Sequence, residues 1–186
     1  SADIFATVCA LHGVDLSADN PKEPTAPSAL YGRSFLPVLQ GNAERCRDYV
    51  LYGYYGKQLG YCDGDHTFLK SVADETQPVF FYSAQSSQHP GQHHDLHRLI
   101  RNSDALELGR FLPGVDYPVQ RMPIPGEDRM VSPNDRQGED ALYELATDQE
   151  QARPIPDDTL HTTYRAKLTA AMQDESFPRD VFTRLG

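Results

Sequence analysis

The chain has 186 residues, 39% of them hydrophobic, with 14 Pro and 13 Gly: enough for one domain with a core, and rich in loops. Its formal charge of −10 repels nucleic acid and anionic membrane surfaces, and no apolar run approaches the roughly 20 residues of a membrane span. The three cysteines, Cys9, Cys46 and Cys62, are odd in number and irregular in spacing, against a disulfide framework or a structural zinc site. Cys9 reads as a small buried residue on a helix face and the other two as free thiols, in keeping with a reducing, cytoplasmic compartment.

Residues 2–12 (ADIFATVCALH) predict a helix whose apolar face is Ile4, Val8 and Leu11, with Ser1 as cap and Gly13 as terminator. Opening directly on a capped amphipathic helix, without the basic and apolar regions of a leader, the chain reads as a piece of something longer. The absence of a leader then says nothing of the parent. Residues 14–29 read as a Pro-containing loop, and a short apolar element is expected at 34–39, ending at Gly41. Residues 48–56 (DYVLYGYYG) are rich in β-formers and predict a strand. LGYCD and HTFLKSV flank Gly64 as a hairpin, and PVFFYS at 78–83 is a further strand. Their closeness in sequence predicts an antiparallel meander.

Residues 84–139 read as the least regular part, with short helices at 96–100 and 104–110 and a long loop of the kind that is functional, mobile or packed on another domain. ALYEL at 141–145 predicts a strand. Residues 158–173 predict a long helix, capped by Asp157 or Asp158, with Leu160, Tyr164, Leu168, Ala171 and Met172 as its apolar stripe. Pro178 is placed to start a last helical turn. The whole predicts an α+β domain spanning 1–186: a small antiparallel sheet of about four strands packed by a C-terminal helix, plus an N-terminal helix and long loops.

Candidate chemistry is sparse. His93 and His97 have a spacing zinc can use, but Pro90 and Gly91 argue for a loop, and neither a third ligand nor a glutamate base accompanies them, so a solvated polar loop is the better reading of His89, His93, His94 and His97. Asp63 and Asp65 flank a glycine where a turn is expected, and lack the ligand run of a calcium loop. Asp157 and Asp158 sit where acids favour a helix dipole. No nucleophile elbow, phosphate loop or complete catalytic constellation is present. Gly53-Tyr54-Tyr55-Gly56-Lys57 is the most notable local feature. Two aromatics and a cation at a strand end could wall a substrate site, although a cross-strand aromatic pair with an exposed lysine is the simpler reading.

Five segments, in order, resemble the C-terminal region of type I, formylglycine-dependent sulfatases of the alkaline phosphatase superfamily. DIFATVCALHGVD resembles their DIFPTLLDLAGI helix, SALYGRSFLPVLQG resembles DGRSLLPLLRG, and YVLYGYYGKQLGYCDGDHTFLK resembles the strand pair ending TDGRYKYI. ALYELATDQEQARPI resembles LYDLETDPGQ-x-x-PL, and FPRDVFTRLG resembles the family's ending in RLG. Departures are Ala6 for the family's proline, Ala146 and Gln149 where Asp or Glu and Pro are common, and the long 84–139 insert. The resemblance implies a parent enzyme in which a C-x-P-x-R cysteine becomes formylglycine, its hydrate attacks sulfur, and Ca²⁺ or Mg²⁺ orients the sulfate.

Cys9, Cys46 and Cys62 do not match that signature, and the metal segments are missing too. No catalytic or metal residue and no cofactor therefore carries over to this chain, which is expected to be inactive alone. Its partner would be the N-terminal catalytic domain of the same parent chain, and the parent's substrate a sulfated small molecule or glycan. Arg33, Tyr54, Tyr55 and Lys57 are the expected substrate-cleft residues, since a cation there could meet sulfate. Two alternatives remain: the C-terminal domain of a phosphonate or phosphate monoester hydrolase, and a free-standing binding module.

Overall fold

A computed structural model of the chain describes residues 2–14, 32–53, 56–83, 106–113, 117–124 and 139–186. These fall into two compact units, Ser1–Val50 and Leu51–Gly186. The histidine-rich loop, the short helix expected at 96–100, the loop at 15–29 and the Ser1 cap lie outside the described residues.

In the first unit, α1 spans Ala2–Leu11, as its spacing predicts. Gly13 takes φ +70°, and the Val14 N–H donates to the Cys9 carbonyl at 2.9 Å, so the helix ends in a left-handed glycine cap. The expected apolar face is not the buried one. Ile4, Val8 and Leu11 are exposed, while Ala6 and Thr7 are buried. The reason is polar: Thr7 Oγ1 accepts the Phe35 N–H at 3.0 Å and Asp3 Oδ1 accepts the Arg33 N–H at 2.8 Å, which turns the Asp3–Thr7 side of the helix toward the returning chain. Arg47 adds an ion pair with Asp3. Hydrogen bonds from Arg47 and from the Arg33 N–H hold the Asp3 carboxyl below the usual carboxylate range. Cys9 is half-buried rather than buried, and all three cysteines are free. The apolar element at 34–39 contains one helical turn, α2 (Leu36–Leu39).

The second unit carries all but the first residue of β1 (Val50–Gly53), then β2 (Leu59–Cys62), β3 (His66–Lys70), β4 (Val79–Ser83), β5 (Glu107–Gly109), β6 (Val119–Ile124), β7 (Ala141–Glu144), α3 (Asp158–Asp174) and α4 (Arg179–Leu185). They form a four-stranded sheet ordered β1-β2-β3-β7 and a three-stranded sheet ordered β4-β6-β5. The class is α+β, with antiparallel sheets and a C-terminal helix. The β2–β3 hairpin forms as expected around Gly64, with Tyr61 opposite Phe68, and Phe68 in turn faces Leu142. Phe68 and Leu142 are both 0% exposed.

The simple meander does not continue to β4. Asp140 Oδ1 accepts the Ser71 N–H at 3.1 Å and the Lys70 ammonium at 3.2 Å, seating β7 on the free edge of β3. Meanwhile the Ala73 N–H donates to the Arg184 carbonyl at 3.0 Å, drawing the chain off toward α4. β4 therefore opens a second sheet. The helix expected at 104–110 is also corrected, because Glu107–Gly109 is β5. Its residues pair with β6, Glu107 opposite Arg121, and these two form an ion pair. Long-range pairing outweighs the weak helical preference of so short a segment.

α3 follows its predicted stripe. Tyr164, Leu168, Ala171 and Met172 are buried, with Leu160 half-buried. The Asp157 carboxylate caps it, accepting the Thr159 and Leu160 N–H groups at 2.9 and 3.0 Å. Tyr61 meets Tyr164 edge-on, as Phe68 does His161. α3 thus covers the face of the sheet that carries Tyr61, Phe68 and Leu142.

Candidate functional site

Two groups of polar side chains converge in the second unit. The first ties the hairpin to α3. Asp63 Oδ1 accepts the Asp65 and His66 N–H groups at 3.2 and 3.0 Å, an Asx turn of the kind the sequence suggests. Its Oδ2 accepts the Tyr164 hydroxyl at 3.0 Å and the Lys167 ammonium at 2.8 Å. Partial burial alone would raise this carboxyl, but hydrogen bonds from Lys167, the His66 N–H and Tyr164 bring it down to about 2. Tyr164 moves the other way, raised by burial and by its bond to Asp63. Lys167 also lies over the Tyr164 ring, 4.2 Å from its centroid. With every polar group of Asp63 engaged, this is a structural clamp.

The second group surrounds a pocket of about 390 Å³. Leu51, Val79, Phe80, Phe177, Val181 and Leu185 give it an apolar wall, and Lys57, Gln58 and Arg184 enter it. Gly56, at φ +72°, lies so close to Val79 that a Cβ there would stand 2.7 Å from Cγ2; glycine lets the backbone at this position approach β4. Arg184, only 4% exposed, is a hub. Its Nε donates to the Gly56 carbonyl at 3.1 Å, Nη1 to the Gln77 carbonyl at 2.6 Å and Nη2 to Glu75 at 2.6 Å. Lys57 Nζ stands 3.6 Å from Glu75, and its side chain is 15% exposed. The exposed lysine of the simpler reading is therefore mostly enclosed.

Of the four expected cleft residues, Lys57 is the one found in a pocket wall. Tyr54 and Tyr55 lie outside the described residues. Arg33 belongs to the first unit, where its side chain is exposed and its backbone N–H binds Asp3. The sequence reading missed Gln58 and Arg184. The pair of glycines bracketing Tyr54 and Tyr55 was the signal for Gln58; Arg184 lies in the RLG ending, but nothing there marked it as buried, because an arginine ordinarily reads as solvated.

Among the described residues no three His, Cys, Asp or Glu side chains converge. No helix among the described residues is long and apolar enough to cross a membrane. A scan against protein-family models matched no family, and a search of curated proteins returned no match.

Proposed function

We propose that this chain is the C-terminal domain of a type I sulfatase, serving to buttress a catalytic domain and to close one side of its substrate cleft. The observation that carries the reading is the order of the five resembling segments. Four of them coincide with whole elements: the first with α1 and its glycine cap, the third with β1 to β3, the fourth with β7 and the turn after it, and the last with α4. Matches that begin and end with elements are harder to obtain by chance than matches scattered across loops.

In this reading formylglycine and a Ca²⁺ or Mg²⁺ ion belong to the parent's catalytic domain, and the substrate is a sulfated small molecule or glycan. Lys57, Arg33, Tyr54 and Tyr55 are proposed as substrate-cleft residues from the sequence alone, and Lys57 is the one of them that lines a pocket. A phosphonate or phosphate monoester hydrolase on the same scaffold is distinguished by the parent's nucleophile. A free-standing binding module is favoured by one observation, the apolar pocket beside Lys57.

The test is the sequence that precedes Ser1 in the natural protein, together with turnover. A C-x-P-x-R segment is expected there. The full-length protein, matured to formylglycine, should cleave p-nitrophenyl sulfate in a metal-dependent manner, while residues 1–186 alone do not. Metal-dependent turnover by 1–186, or an upstream sequence without that segment, overturns the reading.

A further inference from the structure

We propose that the pocket lined by Gly56–Gln58, β4 and α4 binds a neutral, largely apolar small molecule, held by one hydrogen bond to the side-chain amide of Gln58. This goes beyond the parent's reaction and does not depend on it.

Three observations carry the proposal. The first is size and lining. About 390 Å³ walled by Leu51, Val79, Phe80, Phe177 and Val181 is within the range of small-molecule sites, and more than twice the roughly 150 Å³ that accommodates a benzene.

The second is Gln58. It lines the pocket and is 8% exposed as a whole residue. Its side-chain amide is not one of the buried unpaired groups, which among the described residues are His66 Nδ1 and Arg121 Nε, and it makes no hydrogen bond to a described residue, so it opens to the pocket space. An amide both donates and accepts, so it suits a carbonyl, hydroxyl or N–H on an otherwise apolar ligand.

The third is charge. Lys57 and Arg184 both face Glu75, at 3.6 and 2.6 Å, and the Tyr82 hydroxyl donates to Asp180. Lys57 and Arg184 share the carboxylate of Glu75 and Asp180 is held by the Tyr82 hydroxyl, so an ionic ligand would have to compete with a partner each of these charges already has. The wall is also held in place. Arg184 binds the carbonyls of Gly56 and Gln77, joining three segments of the lining, and a preorganised pocket loses little on binding.

N-phenylnaphthylamine, a neutral dye with one N–H, is the probe; its sulfonated relative, anilinonaphthalene sulfonate, is the anionic control. Titrated into the whole chain, the neutral dye is expected to bind at one site per chain, and the anionic one at least about tenfold more weakly. Gln58→Leu should loosen the neutral dye by about five- to tenfold, the worth of one hydrogen bond, and Val181→Trp should abolish binding by filling the space. Backbone amide shifts on ¹⁵N-labelled wild-type protein give a readout that needs no variant. The largest changes should fall at Leu51, Lys57, Gln58, Val79 and Val181. Preferential binding of the anionic dye, indifference to Gln58→Leu, or shifts centred on the exposed apolar residues of α1 would each overturn the proposal.

Discussion

Lys167 reaches from α3 to the β2–β3 hairpin and donates from Nζ to Oδ2 of Asp63 at 2.8 Å. The bond couples the tip of the hairpin to the helix that covers the sheet. Its signature is a carboxyl brought from its ordinary 3.8 to about 2, with the lysine raised by the same contact.

That coupling has a defined pH dependence. Because the folded value lies below the unfolded one, the unfolded state takes up the proton first as the solution is acidified. The stabilisation is complete above about pH 4 and is lost as pH falls through about 2. Lys167 is 41% exposed, so screening leaves a contribution of about 1 kcal/mol. Unfolding free energies of wild type and Asp63→Asn from urea titration should differ by that amount at pH 6 and converge toward pH 2. A gap that stays constant across that range would argue that the carboxylate charge is irrelevant.

Arg184 should be the most sensitive charged position in the second unit. Its removal takes a donor from the carbonyls of Gly56 and Gln77, and leaves Glu75, whose side chain is half exposed, with one fewer of the two cations beside it. Arg184→Met is expected to cost about 2–4 kcal/mol. Arg184→Lys should recover little, since a point charge cannot serve carbonyl and carboxylate together. Equilibrium urea unfolding reads both variants, and a loss under about 1 kcal/mol for Arg184→Met would remove the hub role.

The helix cap offers a smaller, sharply defined effect. Asp157→Ala should lower stability by about 1 kcal/mol, while Asp157→Asn, which keeps an oxygen acceptor for the Thr159 and Leu160 N–H groups, should stay near wild type. Thermal melting by circular dichroism at 222 nm separates the two. Equal losses for both variants would point to charge rather than capping.

Gly60 lies under the Tyr52 ring, and a Cβ placed there would come within 2.5 Å of Cζ. Gly60→Ala is therefore expected to destabilise by about 1–3 kcal/mol through overpacking. In a Tyr52→Leu background the same substitution should cost far less. A double-mutant cycle measures this, and additive effects would contradict the contact.

Legibility followed the range of the interactions. The hairpin at Gly64, the strand at 141–145 and the long helix with a cap at Asp157 or Asp158 were plain in the sequence, because turn chemistry, alternation and the 3.6-residue stripe act over a few neighbours. The strand at Glu107–Gly109 was not. Its identity comes from pairing with Val119–Arg121, which local preference does not encode. The burial of Ala6 and Thr7 in place of Ile4, Val8 and Leu11 was hidden for a similar reason. It depends on Phe35 and Arg33 meeting the helix from about 30 residues away.

At the candidate site, the interest of Gly53 to Lys57 could be read from two glycines around two aromatics, since such glycines mark a close approach of backbone. That Lys57 is enclosed, that Gln58 lines a largely apolar wall, and that Arg184 joins three segments could not be read.

By itself the sequence determined the elements whose formation is local, the acidic charge of the chain and the segments that resemble a sulfatase C-terminal region. Only the tertiary structure decided how the strands divide between two sheets, which face of the first helix is buried and where a pocket opens. Those outcomes rest on hydrogen bonds and packing between residues far apart in the chain, whose energies exist only once the chain has closed on itself.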